Sequence, residues 1–159
     1  GGAQSTQRYL SHSQNNVQFT SVESNPDVIK LTRDVFPDGE HLNIIEADAF
    51  EYLELCAKQQ QTYDWLIVDL FHGADSPVNS DHTYFFQQIY KCLKDKGWLI
   101  LNCLYPEADR RMELAKQISD AFGLSPHMFA VPDMLNHIML IKKGGKFRFP
   151  PEIEEHNLL

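Results

Sequence analysis

Tyr63-Asp-Trp-Leu-Ile-Val-Asp69 decides the fold, because it is the most apolar strand-like run in the chain and it ends in a carboxylate. The same ending recurs upstream. Asp48 closes Leu42-Asn-Ile-Ile-Glu-Ala47 and Glu23 closes Val17-Gln-Phe-Thr-Ser-Val22, so the three acids stand 25 and 21 residues apart. In an open parallel sheet with helices between the strands, ligands bind beyond the strands' carboxyl ends. Three consecutive strands that finish in an acid would therefore line one site.

The segments around these strands have helical spacing. Asn25 is an N-cap and Pro26 a first helical residue, with Val28, Leu31 and Val35 on one face until Pro37-Asp-Gly39 stops the helix. Residues 49–60 follow, with Phe50, Leu53 and Ala57 as the apolar face. After the third strand, residues 63–71, a loop rich in Gly, Ser, Asp and Pro runs to about Asp81. It opens a helix in which Phe85, Ile89 and Cys92 share a face and which Gly97 ends. Residues 98–104 form a fourth strand. Pro106 begins a helix carrying Met112, Ala115, Ser119 and Phe122, and Gly123 stops it. Two short strands, 127–131 and 137–142, finish the pattern. The connection between them, with Pro132 and Asn136, is too short for a parallel crossover and makes them antiparallel neighbours.

The expected fold class is three-layer α/β: a Rossmann-like sheet, mostly parallel, with an antiparallel C-terminal hairpin. Such a sheet places its first strand in the middle, feeding a glycine-rich turn, yet the chain opens at Gly1-Gly2 with no strand before it. The first strand is therefore expected to be missing from the chain, either because the chain is a fragment or because the strand is supplied otherwise. An unfilled gap would leave buried backbone groups unpaired, which is costly. One nucleoside-binding domain over residues 1–143 and a C-terminal tail over 144–159 describe the organisation; the tail shows no periodicity.

With 159 residues, 43% of them hydrophobic, the chain can bury one real core. Its net charge of -8 argues against a nucleic-acid partner, which would need a basic stripe. Cys56, Cys92 and Cys103 are odd in number and scattered, as expected of apolar core residues in a reducing compartment. No apolar run approaches a membrane span and no leader opens the chain, so the expectation is a cytoplasmic protein with no membrane partner.

Each candidate site residue has a plainer alternative. Glu23 can accept hydrogen bonds from the two vicinal hydroxyls of a ribose, or it can favour the helix that starts at Pro26. Asp48 can take an adenine amino proton while the Ala49 N–H meets a ring nitrogen, or it can be an ordinary N-cap. Asp69, at the centre of the crevice, can orient or deprotonate an amine or balance a sulfonium charge; otherwise it caps a loop. His72, Asp75, Asp81 and His82 match no metal signature, and no metal is expected. Gly1-Gly2 is a chain-start remnant or the end of a loop that approaches a cofactor tail. Tyr84 and Tyr105 are the aromatic candidates for substrate contact, and His127 and His137 read as satisfied structural histidines.

Val22-Glu23-Ser24 with Pro26-Asp27-Val28-Ile29, then Glu46-Ala47-Asp48-Ala49-Phe50-Glu51-Tyr52-Leu53, then Tyr63 to Asp69 resemble one family in order. So do Asp69-Leu-Phe-His-Gly73, Pro77, Phe85-Phe86 and Leu93-Lys94-Asp-Lys-Gly97-Trp-Leu-Ile-Leu101. The family is the spermidine synthase-like (polyamine aminopropyltransferase) branch of the class I S-adenosylmethionine-dependent methyltransferase fold. The resemblance implies that Gly1 and Gly2 end the glycine-rich motif, that Glu23, beside Ser24, holds the ribose, that Asp48 and Ala49 meet the adenine and that Asp69 faces the transferred group. Synthases of this type carry a second aspartate three residues after the first; here that place is His72, and Asp75 substitutes only if the loop is longer.

The implied activity is a transferase using decarboxylated S-adenosylmethionine or S-adenosylmethionine as donor and a small amine as acceptor, a homodimer being one possible assembly. The His72 departure keeps a small-molecule methyltransferase as the close alternative. A nicotinamide-dependent oxidoreductase shares Glu23 but needs a fuller glycine fingerprint. A non-catalytic nucleoside-binding or scaffold domain is the alternative of another class.

Overall fold

A computed structural model describes residues 6–7, 17–36, 43–69, 82–105 and 107–145. The chain divides into two compact units, residues 1–55 and 56–159.

In the first unit, β1 (Ser21–Glu23) and β2 (Ile44–Glu46) pair in parallel, with Glu23 opposite Glu46. Helix α1 (Pro26–Val35) joins them, and Asn25 caps it as expected, its side chain accepting from the N–H groups of Asp27 at 2.9 Å and Val28 at 3.4 Å. The apolar face expected on this helix is not the buried one. Ile29 and Thr32 are buried, whereas Leu31 is 63% exposed and Val35 is exposed as well. Residues three apart lie about 60° apart around a helix, so Ile29 and Thr32 form one stripe and Leu31 falls outside it. Thr32 tolerates burial because its hydroxyl donates to the Val28 carbonyl at 2.8 Å. In α2 (Ala49–Lys58), which crosses the boundary between the units, Leu53 and Cys56 are buried and Phe50 is exposed.

The second unit holds a four-stranded sheet in the order β3-β4-β6-β5. Its strands are β3 (Tyr63–Val68), β4 (Leu93–Cys103), β5 (His127–Ala130) and β6 (His137–Lys142). β3 and β4 are parallel, and the last two strands are antiparallel as expected, closed by the Val131 N–H donating to the Asn136 carbonyl at 3.1 Å. The described strands thus form two sheets in a mixed α/β arrangement. No described helix is long and apolar enough to cross a membrane.

Helices α3 (Thr83–Cys92) and α4 (Ala108–Phe122) supply the remaining core. Phe85, Phe86, Ile89 and Cys92 of α3 and Ile118 and Phe122 of α4 are buried, with the Tyr90 and Phe122 rings edge to face at 5.2 Å. Met112 is exposed, contrary to the expected α4 face. Gly123 ends α4 in the left-handed region at φ 70°, its N–H donating to the Ser119 carbonyl at 2.8 Å.

Helix α3 does not run to Gly97, where the sequence pattern places its end; it stops at Cys92 and β4 begins at once. The Lys143 ammonium donates to the carbonyls of Tyr90 at 2.8 Å and Leu93 at 2.7 Å and so satisfies that helix end from another strand's terminus. Gly97 has a different task. A Cβ there would stand 2.9 Å from the Lys94 carbonyl oxygen and 3.0 Å from that of Asp64, so only glycine admits the close passage of β4 beside β3.

Candidate functional site

Glu23 is the last residue of β1, and the ladder continues past it through the Ala47 N–H, which donates to the Glu23 carbonyl at 3.1 Å. That bond brings Glu23 and Asp48 to the same carboxyl edge of the first unit's sheet. The Glu23 carboxylate accepts the Asn25 N–H at 3.0 Å through Oε1. Asp48 Oδ1 accepts the N–H groups of Phe50 at 2.8 Å and Glu51 at 3.2 Å, so its capping role is realised. A carboxylate has about four acceptor sites, and capping through Oδ1 does not occupy Oδ2. Ser24 is exposed beside Glu23, and Ala49 opens α2 half-buried.

In the second unit Asp69 directly follows β3 and is exposed. Its Oδ1 accepts the side-chain N–H of Asn102 at 3.0 Å, and Asn102 Oδ1 in turn accepts the side-chain N–H of Asn136 at 3.0 Å. Sequence reasoning did not single out Asn102 as a site residue. The signal was present: it is the polar residue in the apolar run Trp98-Leu-Ile-Leu-Asn102-Cys. Tyr105 is half-buried, and its carbonyl accepts Arg111 Nη1 at 2.8 Å. Gly1, Gly2, His72, Asp75 and Asp81 lie outside the described residues.

Other candidates are sorted by their surroundings. His137 is not a fully satisfied histidine: Nδ1 is buried with no hydrogen-bond partner among the described residues. Burial, and secondarily the Arg111 charge, holds its pKa below the usual value, against a weaker raising effect of a backbone hydrogen bond at Leu135. The three cysteines are free and buried, as expected. Burial pushes the Cys92 thiol up to about 11 and also raises that of Cys103, which suits core thiols and not nucleophiles. No group of three or more metal-ligating side chains comes together among the described residues.

The sequence model of the family described as spermine/spermidine synthase domain matches residues 2–153. No curated protein sequence matches the chain. Among solved structures, human methyltransferase-like protein 13 in complex with SAH is similar at a TM-score of 0.83 and 15% identity, over 98% of this chain and 74% of that one. A probable spermidine synthase from Corynebacterium glutamicum ATCC 13032 is similar at a TM-score of 0.72 and 25% identity, over 93% and 55%. Spermidine synthase from Thermotoga maritima follows at 0.68 and 19%, over 91% and 52%. The chain spans about half the length of these two synthases. The structural likenesses agree with the strand and helix order described above, a methyltransferase-type α/β fold ending in an antiparallel pair. By the sequence match over residues 2–153, which includes Glu23, Asp48 and Asp69, the chain belongs to the spermine/spermidine synthase domain family.

Proposed function

We propose that the chain serves a transferase that uses an adenosyl sulfonium donor and, in its leading form, moves an aminopropyl group from decarboxylated S-adenosylmethionine to a small amine. The observation that carries it is the carboxylate of Asp69, set at the carboxyl end of β3 and held there by Asn102 at 3.0 Å, within a chain of this family. Glu23 would take the ribose hydroxyls, Asp48 and Ala49 the adenine, and Asp69 the incoming amine.

The reaction is an in-line displacement. The amine lone pair attacks the methylene carbon bonded to the sulfonium, the C–S bond breaks, and its electron pair neutralises the sulfur as a thioether. The proton lost by the new secondary ammonium passes to the Asp69 carboxylate and on to water. Because the sulfonium is already a good leaving group, positioning and exclusion of water supply most of the acceleration. Methyl transfer from S-adenosylmethionine is the second form, favoured by His72 standing where a second acid is expected and by the likeness to human methyltransferase-like protein 13, whose structure is a complex with SAH.

Calorimetry with the two donors separates the forms: preference for the decarboxylated donor supports aminopropyl transfer, preference for the intact donor supports methyl transfer, and binding of neither overturns both. At Asp48 the cap and the adenine contact are separable. Asp48→Ala is expected to cost about 1 kcal/mol of stability through the lost cap, whereas Asp48→Asn keeps the cap. Donor affinity that falls in both variants, with stability lost only in the first, is the expected result.

A further inference from the structure

We infer that Asn102 is a positioning residue for Asp69, and that Asn136 fixes the direction in which the Asn102 amide points. The inference rests on Asp69 as the base of the proposed transfer. Three strands contribute. Val68 pairs with Leu101, so Asp69 emerges beside Asn102, and Asn102 pairs with Ile138, two residues beyond Asn136. A carboxylate only accepts hydrogen bonds, so the Asn102 amide must turn its nitrogen towards Asp69 and its oxygen away. Asn136 meets that oxygen with its own nitrogen at 3.0 Å. An amide turned the other way would face Asp69 with an oxygen and Asn136 with a nitrogen, losing both bonds. Asn136 is itself tied to the end of β5 through its carbonyl, which accepts the Val131 N–H at 3.1 Å.

The chemistry explains why an amide stands at 102. A lysine or arginine would also hold the carboxylate, but it would cancel the negative charge that attracts an amine and receives its proton. A neutral donor fixes one oxygen and leaves the charge whole. Among the described residues the second oxygen, Oδ2, accepts no hydrogen bond and is the one available to the acceptor.

The test is a double-mutant cycle on transferase activity, with proton–nitrogen correlation spectra of the side-chain amides. Asn102→Ala is expected to lower kcat about 10- to 100-fold while the donor KM changes little, and to add nothing further in an Asp69→Asn background. Asn136→Ala acts in the same direction more weakly. Asn136→Asp is expected to be worse than Asn136→Ala, because a new carboxylate draws the Asn102 N–H and turns its carbonyl towards Asp69. Equal losses with and without Asp69→Asn, or an Asn136→Asp variant milder than Asn136→Ala, would overturn the assignment. If no donor is bound or turned over, the proposed function fails and the spectra decide alone. The Asn102 amide signals should move on Asp69→Ala and on Asn136→Ala, and signals that neither change moves exclude the relay.

Discussion

The two faces of the four-stranded sheet in the second unit are built from equally apolar residues and treated very differently. One carries Val68, Leu99, Leu101, Cys103, Met139 and Ile141, all buried. On the other, reached by the alternation of side chains along each strand, Trp65 is 56% and Ile67 45% exposed, and their partners Trp98 and Ile100 are half-buried. Asn102 belongs to this second face by the same alternation and meets Asp69 at its carboxyl end. The buried face holds the unit together, whereas the rim of the other holds the group with which chemistry is proposed. An interior packed to full density has no room for a ligand, so a site is made where packing stops.

The largest expected effect tests the rim. Asp69→Asn should lower turnover about 10²- to 10⁴-fold, with unfolding in urea nearly unchanged because the side chain is exposed. An undiminished rate would remove Asp69 from the chemistry. The faces themselves are compared by Leu99→Ala and Ile67→Ala. The first should cost about 2 to 5 kcal/mol in urea unfolding, the second clearly less, and equal costs would erase the contrast. Gly97→Ala sharpens the picture at the β3–β4 seam. Its Cβ would press on backbone oxygens that cannot swing aside, for a loss of about 1 to 3 kcal/mol.

The smallest effect appears only in alkali. Burial pushes the Cys92 thiol up to about 11 in the folded chain, from an ordinary cysteine value of 9.0. Its contribution is fully present below pH 9 and is lost as pH rises from about 9 to about 11, because the unfolded chain ionises first. Cys92→Ala should flatten that decline, and a slope identical to wild type would contradict it.

The segments that could be read in advance are those whose causes are local. The Asn25 cap depends on N–H groups two and three residues away, the Gly123 stop on a carbonyl four residues back, and the final hairpin on a connection too short for anything else. The capping role of Asp48 was legible for the same reason, as one of two alternatives. What escaped were interactions across the fold. The end of α3 at Cys92 depends on Lys143, 50 residues from the Leu93 carbonyl it meets. The stripe that α1 buries, Ile29 and Thr32, depends on which side of the helix the rest of its unit occupies.

By itself the sequence determined the order of strands and helices, the acids that close three of the strands, and the family, because these follow from periodicity, caps and motifs read along the chain. Only the tertiary structure decided which apolar face is buried and that Asn102 and Asn136 hold Asp69. Those bonds join residues 33 and 34 positions apart. Strand register, and no property of either residue alone, brings them within reach.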